Sequence, residues 1–196
     1  MHAIRYLGML GLLVVTAVVH AAPVTYKLDP EHTQVLFSWN HFGYSNPGAS
    51  LGLSVGTLVF DEQHPERSSV RVSLPVSSLD THVAALDAHL QQADFLDAAK
   101  YPQVTFISTR VQPTGANKFT VTGNLTIHGV TRSVPLQVTL NRVGVHPMTK
   151  QQSIGFDATT QIRRSDFGVA AYVPNVGDEL TVRITAEGAV PGEAKK

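Results

Sequence analysis

Ser133-Val134-Pro135-Leu136-Gln137-Val138-Thr139-Leu140 is the stretch that sets the fold class. Val134, Leu136, Val138 and Leu140 alternate with Ser133, Pro135, Gln137 and Thr139. Residues two apart share one face of a strand, so this segment carries one apolar and one polar face. The same beat recurs outward from it. Ile154, Phe156, Ala158, Thr160 and Ile162 keep it, as do Leu180, Val182, Ile184 and Ala186. On the N-terminal side, so do Phe119 through Ile127, Val70-Val72-Leu74 and Val35-Phe37-Trp39. Strands are expected near 24–28, 33–39, 51–60, 69–75, 103–110, 118–127, 131–141, 153–162 and 178–188. The 51–60 segment is apolar on both faces (Leu53 and Val55 against Leu58 and Phe60). Asp29-Pro30, Gln63-His64-Pro65, Pro113 to Asn117, His128-Gly129 and Gly177-Asp178 supply turn chemistry between strands. Pro135 inside a strong strand predicts an edge, a bulge or a barrel rim.

One segment follows a different period. Val83, Leu86 and Leu90 are spaced by three and four residues, and Leu79 extends the stripe backwards. That spacing predicts an accessory α-helix near 80–93, with Asp80 or Ser78 able to cap its start. Half-apolar antiparallel strands with a single helix leave two all-β architectures, a two-sheet sandwich or a closed barrel of 8–10 strands.

Composition removes several classes of function. The 196 residues hold 15 Lys+Arg, 15 Asp+Glu, 9 His and no Cys. A formal charge of zero gives no footprint for nucleic acid. The lack of Cys removes disulfides, thiolate metal sites and cysteine nucleophiles. The N-terminus reads as an address: Arg5, then an apolar run from Leu7 to Val19, then Val19-His20-Ala21. The run is shorter than the ~20 apolar residues that span a bilayer. Residues 1–21 are therefore expected to be a secretory signal cut at Ala21/Ala22, leaving a periplasmic domain over 22–196.

Catalytic and metal-binding signals are weak. His82 and His89 are seven residues apart, ~10.5 Å along a helix axis, too far for one shared metal. His32, His41 and His128 sit at turns. Gly48 to Gly52 and Gly52 to Gly56 both match Gly-x-Ser-x-Gly, but they lead into the strand expected at 51–60 with no helix after it, so neither is a nucleophile elbow, and there is no phosphate loop. No catalytic residue, metal ligand or cofactor is assigned, and a hydrolase or other enzyme acting on a hydrophobic substrate is the alternative reading. Two loops are long for a β-protein. Residues 40–50 mix aromatics with Gly and Pro, and 163–178 contains Arg164-Ser165-Asp166-Phe167-Gly168. In the second, Asp166 is expected to accept backbone N–H groups as a loop clasp, with Phe167 as a plug.

Three stretches in order carry a resemblance. They are Tyr26-x-Leu28-Asp29-x-x-His32-Thr33 with the His41-x-Gly43 loop, and Asp87-Ala88-His89-Leu90 with Asp94-Phe95-Leu96-Asp97 and Tyr101-Pro102. The third is Gly123 to Thr131 with Arg164 to Gly168 and Val176-Gly177-Asp178-Glu179-Leu180. Over 24–188 the chain resembles the YceI-like family of bacterial polyisoprenoid-binding proteins. The resemblance implies a lipocalin-like antiparallel β-barrel and an apolar tunnel for an isoprenoid lipid, such as a polyprenyl carrier or a quinone. It assigns the tunnel wall to Phe37, Phe60, Val72, Leu74, Phe106, Leu125, Leu136, Val138 and Phe156, with Leu86, Leu90 and Phe95 as closures on the helix side. It places the headgroup at a mouth bearing His41, Phe42, Tyr44, Arg164, Asp166 and Phe167. Leu86 stands where members of the family often carry Arg, and Gln91 and Gln92 where basic residues are common, which favours a neutral headgroup. The membrane would be met only transiently, for ligand exchange, and a homodimer is the weaker expectation.

Overall fold

The computed structural model describes residues 22–192, so the expected signal at 1–21 lies outside the described residues. Ten strand segments form one antiparallel sheet. They are β1 (Val24–Leu28), β2 (Gln34–Ser38), β3 (Gly48–Gly52), β4 (Val55–Phe60), β5 (Ser69–Pro75), β6 (Gln103–Gly115), β7 (Lys118–Ile127), β8 (Val130–Val145), β9 (Gln152–Arg163) and β10 (Glu179–Ala189). From β4 to β10 each strand pairs with the next, and the ring closes where Lys27 and Leu28 of β1 meet Ala189 and Gly188 of β10.

The ten segments fill eight places in the barrel. β1 and β2 both run antiparallel to β10, the first against Ala189 and Gly188, the second against Thr185 to Thr181. Residues 29–33 are a kink between two halves of one strand. β4 and β3 repeat the device, lying beside β1 and β2 in turn. The expected single strand 51–60 is thus two segments. Its double apolar face has a simple cause: Leu51 and Leu53 are buried before the break, Leu58 and Phe60 after it, and Val55 at the break is 61% exposed. The inward parity changes by one residue there. Gly56 sits at the kink because a Cβ would lie 2.7 Å from Leu28, too close for any side chain.

The tight turn expected at His128-Gly129 joins β7 to β8, with φ of 51° and 73° at its two residues, as a two-residue hairpin requires. Pro135 lies in β8, opposite Thr122 of β7 and outside the register with β9, which begins at Gln137↔Thr159. Its missing N–H therefore falls at the rim, where β8 and β9 separate.

The helix is shorter than its stripe. α1 spans Ala84–Leu90, and neither expected residue caps it. Ser78 Oγ is engaged with Gly52 N–H and Pro75 O, and Asp80 Oδ1 accepts from His82 N–H. Asp87 folds back to accept from Thr81 N–H and Oγ1 at 2.7 and 2.6 Å, which ties the helix to the connection that leads into it. Val83, expected on the apolar face, is 54% exposed, while Leu86 and Leu90 turn toward the barrel.

Candidate functional site

An eight-stranded barrel has an interior just wide enough to be filled by side chains or to hold one small ligand. Here the inner face does not close on itself. Leu125, Leu136, Val138 and Phe156 point inward, yet each keeps more accessible surface than a packed core residue would. They border a cavity of ≈ 740 Å³, within the usual size range for ligand sites. Small inward residues on β9 and β10 (Ala158, Thr160, Ala186) leave the space that larger ones would fill. At one end the wall is built from buried Phe60, Phe106, Val111 and Phe119. The other end is open: His41, Phe42, Ser45, His89 and Tyr172 all border the cavity and are all exposed.

All twelve wall positions named from the sequence border this one cavity. Phe37, Phe60, Val72, Leu74, Phe106, Leu125, Leu136, Val138 and Phe156 come from the strands, and Leu86, Leu90 and Phe95 from the helical segment over the mouth. Phe95 stands in a ladder of rings, with centroids 4.9 Å from His89 and 6.0 Å from Tyr172, which links the helical segment to the 168–177 loop. Sequence reasoning left out Trp39, Tyr172 and the row Leu180, Val182, Ile184 and Ala186, all of which border the cavity. The β10 row was visible in the alternation and needed only to be assigned to the inner face.

The mouth residues divide. His41, Phe42, Arg164 and Phe167 border the cavity, and Phe167 is 1% exposed. Tyr44 does not border it and is 92% exposed. Asp166 faces an outer cleft with Arg132 and Arg163, in the gap where β8 and β9 separate. The expected clasp exists but with another carboxylate. Asp178 accepts from Ser165 N–H at 2.9 Å and from Ser165 Oγ at 2.7 Å. Sequence alone ranks two acids in one loop equally; the backbone turn Arg164–Phe167 aims Asp166 outward and brings Ser165 to Asp178. Arg164 completes the clasp. Its Nε, Nη1 and Nη2 donate to the carbonyls of Gly177, Val169 and Val176 at 2.9, 2.9 and 2.8 Å. Burial lowers the Arg164 pKa, and Asp178 offsets part of that. For Asp178, burial pushes the pKa up, but the two Ser165 hydrogen bonds and the charges of Arg164 and Arg163 outweigh it and hold the carboxyl below its ordinary value.

The cavity wall holds no Asp, Glu, Lys or Cys among the described residues, so the side chains able to move a proton there are His41, His89 and Tyr172. The arrangement offers a hydrocarbon channel with a sparse polar collar.

Known proteins share the sequence and the fold. Protein YceI of Salmonella arizonae is 37% identical over 170 residues, covering 86% of this chain and 88% of the relative. The crystal structure of BcnA from Burkholderia cenocepacia superposes with a TM-score of 0.74 at 26% identity, over 82% of this chain and 98% of that one. A polyisoprenoid binding domain from Saccharophagus degradans, implicated in plant cell wall breakdown, shares the fold with a TM-score of 0.65 at 13% identity, over 85% and 98% of the two chains. The family model of the YceI-like domain matches residues 26–188, nearly the whole described barrel, and the chain belongs to the YceI-like family.

Proposed function

We propose that this protein is a periplasmic carrier that holds one isoprenoid amphiphile in the barrel without covalent chemistry. The observation that carries the reading is the ≈ 740 Å³ hydrocarbon-lined cavity with one open end. Taking the ~30 Å³ that a water-sized group occupies, it accommodates about 25 chain atoms, or about five isoprene units. At about 0.3 kcal/mol per heavy atom this gives ~7.5 kcal/mol, an affinity near micromolar. Longer tails would leave the mouth. The likeness in fold to a domain described as polyisoprenoid-binding supports the ligand class. The apolar run and Val19-His20-Ala21 support export.

The polar collar favours a neutral head such as a quinone over a phosphate. Arg164 is the one permanent cation on the wall among the described residues, and it is already engaged with three carbonyls of its own loop.

Trp39 is the only tryptophan and borders the cavity, so its fluorescence reports occupancy. The test is to purify the exported protein natively, extract it with organic solvent and identify prenyl lipids by mass spectrometry. The stripped protein is then titrated with a prenylquinone and a polyprenyl phosphate. Recovery of a prenyl lipid, with saturable quenching of Trp39 by the quinone, is the expected result. No recovered lipid and no uptake of either compound would overturn the reading.

A further inference from the structure

The two loops at the mouth form one continuous platform. Phe42 N–H donates to Asn175 O at 2.9 Å and Gly177 N–H to Asn40 O at 2.7 Å, so 40–48 and 168–177 are tied together by backbone bonds. Large apolar side chains stand out from this platform into solvent: Phe42 is 51%, Tyr44 92%, Tyr172 59% and Val173 36% exposed. Neither 39–49 nor 167–177 contains a Lys, Arg, Asp or Glu. The opposite end of the barrel carries exposed Glu62, Glu66, Arg67, Lys118, Arg142 and Lys150. Exposed Asp94, Lys100, Asp166 and Glu179 stand around the platform at the mouth end, so it is an uncharged aromatic island with a charged surround.

We propose that this platform is a docking surface for a lipid bilayer, and for the uncharged part of the membrane interface in particular. Tyr rings concentrate at the headgroup level, where an apolar body and a polar tip are both satisfied. Backbone donors paired within the protein lower the cost of sinking below the hydrated headgroups toward the hydrocarbon. Part of the platform's backbone is paired in this way: Gly43 N–H is held by Asn40 Oδ1, Tyr44 N–H by His41 O, His41 N–H by Ser45 O and Val176 N–H by Tyr172 O. A bilayer rather than a protein is the occupant because the surface is continuous with the cavity. Phe42 and Tyr172 expose one side to solvent and line the channel with the other, so a lipid leaving the membrane at this point enters the barrel without crossing water. The inference rests on the carrier reading above, and it adds where the lipid is exchanged.

The test uses Tyr44→Asp and Val173→Asp. Neither residue borders the cavity, so neither substitution touches the binding wall. Purified protein is sedimented with vesicles of phosphatidylcholine and phosphatidylethanolamine, and in parallel with anionic vesicles that also contain phosphatidylglycerol. The unaltered protein is expected to pellet with them, with partition changing by less than about twofold between about 0.1 and about 1 M NaCl, because no charged pair is there to be screened. Each substitution is expected to lower partition by about tenfold or more. Uptake of a prenylquinone added from ethanol, read as quenching of Trp39, stays unchanged in both variants. Failure of the unaltered protein to pellet, binding confined to anionic vesicles and abolished by salt, or variants that bind like the unaltered protein would each overturn the docking surface. Vesicle binding without any quinone quenching would keep the surface and overturn the carrier reading on which its role rests.

Discussion

Leu136→Trp separates a hollow barrel from a filled one. Leu136 lies mid-wall on β8, opposite Val121 of β7, and faces the ≈ 740 Å³ cavity. The larger side chain adds about six heavy atoms, ~180 Å³ at ~30 Å³ each, or about a quarter of the space. In a close-packed core such an insertion costs ~1–3 kcal/mol through strained rotamers and backbone shifts. Here the indole has room and buries apolar surface, so the urea midpoint of the lipid-free protein should hold or rise. The ligand loses room for about six atoms, ~1.8 kcal/mol at ~0.3 kcal/mol per atom, which is about a twentyfold weaker Kd. Binding is read by displacement of a solvatochromic lipid dye with a prenylquinone, and stability by urea unfolding of both stripped proteins. A drop in midpoint of the size expected for overpacking, together with an unchanged Kd, would refute the reasoning, because the interior at Leu136 would then be packed and the ligand elsewhere.

Gly123→Ala should unfold easily: its Cβ would lie 2.3 Å from the Phe106 ring and 2.7 Å from Ile107 O, so urea unfolding should show a loss of ~1–3 kcal/mol. Arg164→Met removes the donors to three loop carbonyls, each costing ~1–3 kcal/mol if left unpaired, and amide exchange should speed up across 164–178 while the β6–β7 hairpin stays protected. The depressed Asp178 pKa means that its contribution is complete above the unfolded value near ~3.9 and is lost as pH falls through the lower folded one. Midpoints between about pH 5 and about pH 3 should therefore fall more steeply in the unaltered protein than in Asp178→Asn.

The inner wall was legible because closure makes one rule sufficient. Once Val134, Leu136, Val138 and Leu140 are taken as one face of a strand in a closed barrel, that face has nowhere to point but inward. The same rule reaches Phe119 to Ile127 and Val70 to Leu74. It fails where parity shifts. Leu53 and Ser54 separate β3 from β4, and Gly52 and Gly56 on either side mark the break only weakly, since a Gly inside a strand pattern fits a bulge or a close approach equally well. Hollowness was not legible either. Ala158, Thr160 and Ala186 read as ordinary members of an apolar row, and the space they leave follows from what stands across the barrel. Loop partners fail for a related reason. Asp166 and Asp178 are both acids in a polar loop, and only the path of the backbone decides which one reaches Ser165.

A cavity this size also constrains stability. By the ~24 cal/mol per Å³ found for cavities left in packed cores, a dry void of ≈ 740 Å³ would cost about 18 kcal/mol, more than the ~5–15 kcal/mol by which a whole domain is stable. The interior is therefore filled, by solvent through the open end or by a ligand. Water between Leu125, Leu136, Val138 and Phe156 finds few polar partners, whereas a prenyl chain finds the same hydrocarbon it presents. Folding and loading are thus linked. With ligand at about a hundred times its Kd the native state gains ~2.7 kcal/mol. At ~2–4 °C per kcal/mol for a chain of this length, the thermal midpoint should rise by about 5–10 °C over the stripped protein. Calorimetry of stripped and reloaded protein measures that difference directly. Equal midpoints at saturating prenylquinone would mean that the native barrel gains nothing from the chain, and the cavity would lose its claim to be the binding site.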